Sequence, residues 1–309
     1  MMHCLGIIVV ARSRYMKIKI YVLLLVSVLL TACGSSLKSD INDYKSQMKD
    51  VQLEEKKLVQ YIDDLQLDQV DQLIGSEITD QKKQKLKEKE QEIESKVLPQ
   101  LKVYEKKMNK VQVNNPEVKE VHNLYISNFD EKKGFIHDIH QYIKLYNDSI
   151  ESNDEILGYT KIFEKNKETS ENYAELAAEN PAETNDYNKL TSVISRNNEE
   201  LKTKVEELMN TSETSQRIGY IDDKLIPMIN SHIKTLNQMH INALHTSHMR
   251  QAQIEIYYSL INYYKERKNA MKIEEQLQKL PVQSILTRAK SIKTVDDKYY
   301  QALKKLEER

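Results

Sequence analysis

The sequence predicts an all-α fold, an elongated bundle of long antiparallel, partly coiled-coil helices, and three observations predict it. Glycine and proline together number eleven in 309 residues, so turns are few and the elements between them must be long. Apolar residues recur at three-four spacing along most of the chain, the period of a helix with one buried stripe. No stretch alternates polar and apolar residues as a half-buried strand does.

Residues 1–32 read as an export signal rather than as part of that bundle. Lys17 and Lys19 give a charged lead, and Tyr21 to Leu30 an apolar run, the order of a cleavable signal. A spanning helix needs about 20 apolar residues, and Arg12 and Arg14 cut the earlier apolar patch off from this run. Translation from Met1 fits the chain. So does a start at Met16, whose Lys-Ile-Lys makes the more ordinary opening and leaves residues 1–15 a start-site artefact. Leu30-Thr31-Ala32-Cys33 closes the signal, and residues 33–38 form a tether opened by Gly34-Ser35-Ser36. The four residues resemble a bacterial lipobox. The resemblance implies a cut between Ala32 and Cys33, a diacylglycerol with acyl chains such as palmitate joined to the Cys33 thiol by a thioether, and a mature chain on the extracytoplasmic face of the cell membrane.

Composition narrows the rest. The signal removes four basic residues, leaving 42 basic against 47 acidic ones, which gives no electrostatic footprint for nucleic acid. Cys4 is the one other cysteine and lies in the signal. The mature chain therefore has no disulfide and must fold by burial alone. Lysine outnumbers arginine 38 to 8, the bias of an AT-rich, low-GC Gram-positive genome.

Residues 39–309 form the helical domain, with breaks expected near 75, 114–116, 166–186, 210 and 281. Ser39 is placed to cap the first helix. Ile41, Tyr44, Met48, Val51, Leu58, Ile62 and Leu65 then follow a seven-residue repeat, which Glu55 interrupts at one core position. Gly75 suits a left-handed helix stop. The next helix is nearly all charged from Asp80 to Lys96, and Pro99 should kink or restart it. Asn114-Asn115-Pro116 is the clearest break, with proline at a first helical position. Val118 to Tyr146 carry a third long helix, with Gly134 as its weak point. The polar stretch 166–186 reads as a connector. Leu190 to Leu208 form a fourth helix. A fifth starts at Ile218 and runs as far as Leu280, where Pro281 ends it; a last helix follows. Two echoes recur at different offsets: Lys96-Val97-Leu98-Pro99 with Lys224-Leu225-Ile226-Pro227, and Tyr61-Ile62-Asp63-Asp64 with Tyr220-Ile221-Asp222-Asp223. A duplication would need one offset, so both read as coincidence.

Chemistry-bearing motifs are sparse. The chain has no glycine-rich phosphate loop, no Gly-x-Ser-x-Gly elbow and no His-Glu-x-x-His, so no enzyme and no cofactor are expected. His240, His245 and His248 are the candidate metal ligands. On a continuous helix the last two project about 60° apart, which falls short of the three or four converging ligands that zinc wants. Tyrosine is the anomaly, 18 against 3 phenylalanines. Tyr257, Leu260, Ile261 and Tyr264 share a packing face; Tyr258 and Tyr263 flank it as an aromatic binding surface.

Glu255-Ile256-Tyr257-Tyr258, with the lipobox and the helical body, resembles the EMYY-motif lipoproteins of staphylococci, isoleucine standing in the methionine position. A looser likeness is to helical Gram-positive lipoproteins described as cell-wall binding. The resemblance implies no activity and no catalytic residue; it marks Glu255, Tyr257 and Tyr258 as motif positions. The expectation is a membrane-anchored, non-enzymatic binding or spacer protein between membrane and cell wall, with wall polymer as its partner. The alternatives are a helical partner subunit of a membrane protein complex and a metal- or ligand-capturing lipoprotein.

Overall fold

The computed structural model describes residues 37–72 and 78–309, and every regular element among them is helical. The expected signal, Cys33 and Gly75 lie outside the described residues. Helix α1 covers 37–64, so Ser39 already lies inside it. Gln66 then turns through the left-handed region at φ 49°, the Leu65 carbonyl accepts from Lys89 Nζ, and a short 3-10 turn spans Leu67–Gln72. There follow α2 (Asp80–Glu92), a π-turn (Ile93–Val97), α3 (Leu98–Met108), α4 (Pro116–Ala178), α5 (Thr184–Met209) and α6 (Thr214–Tyr220). A second π-turn (Ile221–Leu225), α7 (Ile226–Gln238), α8 (Leu244–Lys279), α9 (Val282–Ser291) and α10 (Asp297–Glu307) complete the chain.

The described residues divide into two compact units, one of 37–72, 88–140 and 283–309, the other of 78–87 and 141–282. In the first, α1, α3, the opening part of α4 and α10 enclose a core that includes Tyr44, Leu58, Tyr104, Tyr125, Phe129 and Tyr299. In the second, the closing part of α4 joins α5, α7 and α8 around Leu190, Ile221, Leu225, Ile229, Leu236 and Tyr257.

Both units use one three-helix plan. Each π-turn is followed two residues on by a proline, Pro99 or Pro227. Proline lacks an amide donor and crowds the carbonyl four residues back; a locally widened turn accommodates both faults. The two π-turns begin 128 residues apart, at 93 and 221, and so do α4 and α8, at 116 and 244. The first helices match at a different offset, 143. Asn42-Asp43-Tyr44 corresponds to Asn185-Asp186-Tyr187, and Val51, Leu58, Ile62 and Leu65 correspond to Ile194, Leu201, Val205 and Leu208. The 15-residue difference is a shorter connection before the second π-turn. The echo at Pro99 and Pro227 is thus structural, and demanding a single offset hides it. The contacts repeat as well. Tyr104 meets Phe129 edge-on at 4.9 Å, and their counterparts His232 and Tyr257 lie 5.7 Å apart. Asp40 holds Asn115 at the start of α4 (3.0 Å); its counterpart Glu183 holds the start of α8.

Three further expectations change. The polar stretch from 166 is helix α4 as far as Ala178, a solvated face supported by pairs such as Lys167–Glu171; only 179–183 turns. The helix expected from Ile218 to Leu280 is broken at 239–243, where Met239 and Ala243 are extended. α4 passes through Gly134 unbroken, and a β-carbon there would meet Arg288 Nη1 at 3.5 Å.

Candidate functional site

Helix α8 divides the motif between core and surface. Tyr257 is fully buried, its hydroxyl donates to Asn198 Oδ1 at 3.5 Å, and burial pushes its phenol above the usual range. Two residues before it, Glu255 is exposed and accepts from Gln251 Nε2 at 2.9 Å. Tyr258 is 46% exposed. Successive helical residues turn by 100°, so Glu255 and Tyr258 share a face that Tyr257 does not. Tyr263 is half-buried, edge-on to Tyr264 at 5.2 Å. Burial, then the neighbouring Tyr263, push Tyr264 up to about 12.

Beside the buried tyrosine the second unit leaves a groove of about 510 Å³ between α4, α5 and α8. Phe163, Ala174, Ile194, Leu201, Met249 and Leu260 supply apolar wall. Asn198 and the buried Ser170 and Gln253 supply neutral polar groups. The exposed charges at its edge are Lys167, Glu171 and Lys202. Lys167 and Glu171 pair at 3.7 Å; Lys202 has no carboxylate partner among the described residues. Val205 also lines a second hollow of about 230 Å³ with Met209, Arg217, Tyr263, Tyr264 and Arg267. An apolar concavity with a few convergent polar groups is the ordinary form of a small-ligand site. Behind it, His232 is buried with Nε2 3.1 Å from Glu200 Oε2. Among the described residues, His232 Nδ1 and Asn197 Nδ2 have no hydrogen-bond partner.

The start of α8 is held from another helix. The Glu183 carboxylate accepts from the Thr246 amide and hydroxyl, each at 2.9 Å, and from the His245 amide at 3.3 Å. Asp186 accepts from the Asn242 and Ala243 amides. Four amides at a helix start have no partner within the helix, and carboxylates suit them. Burial works to raise the Glu183 pKa, but the bonds from Thr246 and His245 outweigh it and hold the carboxyl at about 2.

The candidate metal ligands do not converge. His245 Nδ1 lies 2.9 Å from Glu183 Oε1, and His248 stacks on Tyr173 at 4.8 Å. His240 is exposed within the 239–243 break, so the helical-wheel angles do not apply to it. Among the described residues no three His, Cys, Asp or Glu side chains are grouped to hold a metal.

The first unit holds a cluster that the sequence reading missed. Lys132, 1% exposed, pairs with Glu55 and with Asp296. Tyr104 donates to Tyr125 at 2.9 Å, and Tyr125 donates to Glu55 Oε2 at 2.9 Å. Tyr44 donates to Tyr299 at 3.3 Å. Burial foremost, and then Asp296, raise the Glu55 pKa against the pull of Lys132. The break in the seven-residue repeat at Glu55 was the available signal.

Among the described residues no helix is long and apolar enough to cross a membrane. The protein-family model for EMYY-motif containing lipoproteins matches residues 14–307, nearly the whole chain. No curated protein and no solved structure matches it.

Proposed function

This chain belongs to the EMYY-motif containing lipoproteins, and from that premise we propose that it is a non-enzymatic binding protein. A lipid on Cys33 holds it at the outer face of the cell membrane, and the groove beside Tyr257 is its ligand site. The observation that carries this reading is the position of the groove: a motif tyrosine closes one side of a cavity that its own helix leaves unfilled. Hydrocarbon burial contributes about 0.8 kcal/mol per methylene, so the two chains of a diacylglycerol joined to the Cys33 thiol make a stable anchor. The outer face and wall-side role follow from the lipobox resemblance at Cys33.

Two measurements test it. Cells fed an alkyne palmitate should label the wild-type chain and leave Cys33→Ser unlabelled; equal labelling refutes the anchor. Purified full-length protein should lose ligand capture from envelope extracts when Ala174→Phe fills the groove, with its helical circular dichroism unchanged. Undiminished capture by that variant refutes the site. The surface half of the motif supports a second reading, a partner subunit docked through Glu255 and Tyr258, because both are exposed on one face of α8. Photocrosslinking from position 258 that returns one defined membrane protein would favour it.

A further inference from the structure

We propose that the groove of the second unit takes an acyl chain bearing an anionic head group, an inference that rests on its being a ligand site at all. The first unit shows what a closed version of this seam contains. There Lys132 on α4 and Glu55 on α1 meet as a buried ion pair, and Asp296 joins them from the α9–α10 turn. At the offsets that relate the units, Lys132 corresponds to Leu260 and Glu55 to Asn198. Both counterparts line the groove. The second unit has therefore exchanged a cation for a hydrocarbon side chain and a carboxylate for a neutral amide. The seam stays open where its counterpart is filled.

The groups that remain select the ligand. Walls of Phe163, Ile194, Leu201 and Leu260 suit a hydrocarbon chain, whose transfer from water is favourable by about 25 cal/mol per Å². Ser170, Asn198 and Gln253 hydrogen-bond without carrying charge, which suits the carbonyl of an ester or acid rather than an ion. At the edge, Lys167 is offset by Glu171, which leaves Lys202 as the cation available to an anionic head. The shared chemistry, an acyl chain with an anionic head, occurs both in free fatty acids and in membrane phospholipids.

The test uses the full lipidated chain in lipid nanodiscs with three diazirine probes of equal chain length: a fatty acid, the corresponding alcohol, and a phosphatidylglycerol. The expected result is labelling by the acid, the phosphatidylglycerol or both, mapped to peptides of α5 and α8 around Leu201 and Leu260. Which of the two labels identifies the source. Lys202→Glu should lower labelling by up to about fivefold, the upper end for an exposed charge pair, and leave the alcohol unaffected. Ala174→Phe, and separately the pair Leu260→Lys with Asn198→Glu, should reduce labelling to background, with thermal melts confirming that each variant is folded. Equal labelling of the groove by acid and alcohol, unmoved by Lys202→Glu, overturns the anionic-head assignment and leaves the groove as a site. Absence of groove labelling by all three probes, while Ala174→Phe still abolishes capture from extracts, overturns the acyl chain alone. Labelling that Ala174→Phe does not change overturns both readings.

Discussion

The two units share a plan and differ in what they place at its seam. In the first, Lys132, Glu55 and the hydroxyls of Tyr104 and Tyr125 form a connected, buried polar network that the partly buried Asp296 joins. In the second, the same positions carry Leu260 and Asn198 beside an open groove. Desolvating three charges costs several kcal/mol per ion, and their attraction recovers it only when the geometry is complete. Such a cluster tolerates one arrangement of its helices and so fixes them. An open seam forgoes apolar burial instead. The difference teaches that this helix plan has been closed in one copy with charge and phenol, and left available in the other.

The largest expected effect breaks the closed copy. Lys132→Met leaves the buried Glu55 and the partly buried Asp296 without their cation, and removing one partner of a buried pair costs about 3 to 5 kcal/mol. Urea unfolding followed by circular dichroism should show the loss. Replacing Glu55 and Lys132 together, by Leu and Met, should cost distinctly less than Lys132→Met alone, because no uncompensated charge remains. Equal losses would mean that the cluster is not coupled.

Next comes the buried half of the motif. Tyr257→Ala removes a fully buried ring, a change that costs about 3 to 5 kcal/mol for a large aromatic. Tyr257→Phe keeps the ring and loses only a long hydrogen bond to Asn198, so about 1 kcal/mol or less is expected. The same denaturation experiment separates the two, and matching losses would refute the packing role of the ring.

The sequence was informative wherever structure follows from local pattern. Asn115-Pro116 starts α4 through a local cap, Asn115 Oδ1 accepting from the Glu117 amide at 2.9 Å, and a local cap leaves a local spelling. The start of α8 has no such spelling. Its capping carboxylates stand on Glu183 and Asp186, some sixty residues away, so periodicity alone runs straight through the break at 239–243. Polarity misled at 166–178 for the converse reason: a helix face turned to solvent has the composition of a loop. The tyrosine excess was visible, but Tyr44, Tyr104 and Tyr125 stand singly at core positions and Tyr299 beside Tyr300, with nothing local to mark the hydroxyl contacts they share. A hydroxyl inside a heptad is invisible to a pattern that scores tyrosine as apolar. The groove itself left no spelling, because its walls are apolar residues such as Ile194, Leu201 and Leu260 that spell an ordinary helix seam.

The pH response sharpens the contrast between units, with opposite signs. Glu183 is held at about 2 against an ordinary 4.5. Its contribution is therefore present above about 4.5 and is lost as pH falls toward 2. Glu55 is raised by burial, so its contribution is fullest below 4.5 and declines as pH rises through the raised value. Thermal midpoints of Glu183→Gln relative to wild type should converge on acidification. Those of Glu55→Gln should move in the wild type's disfavour as pH rises from 4.5. Parallel curves for the two variants would remove the electrostatic distinction.

The smallest effect belongs to the exposed half of the motif. Tyr258 is 46% exposed, and surface substitutions away from caps and cores usually stay within about 0.5 kcal/mol. Tyr258→Ala should leave the melting curve of the purified protein nearly unchanged. A tyrosine with no stabilising duty belongs to a motif for what it meets outside the fold, so its removal should act on capture of a partner alone. A loss of stability comparable to that of Tyr257→Ala would place both tyrosines in the core and leave α8 without a recognition face.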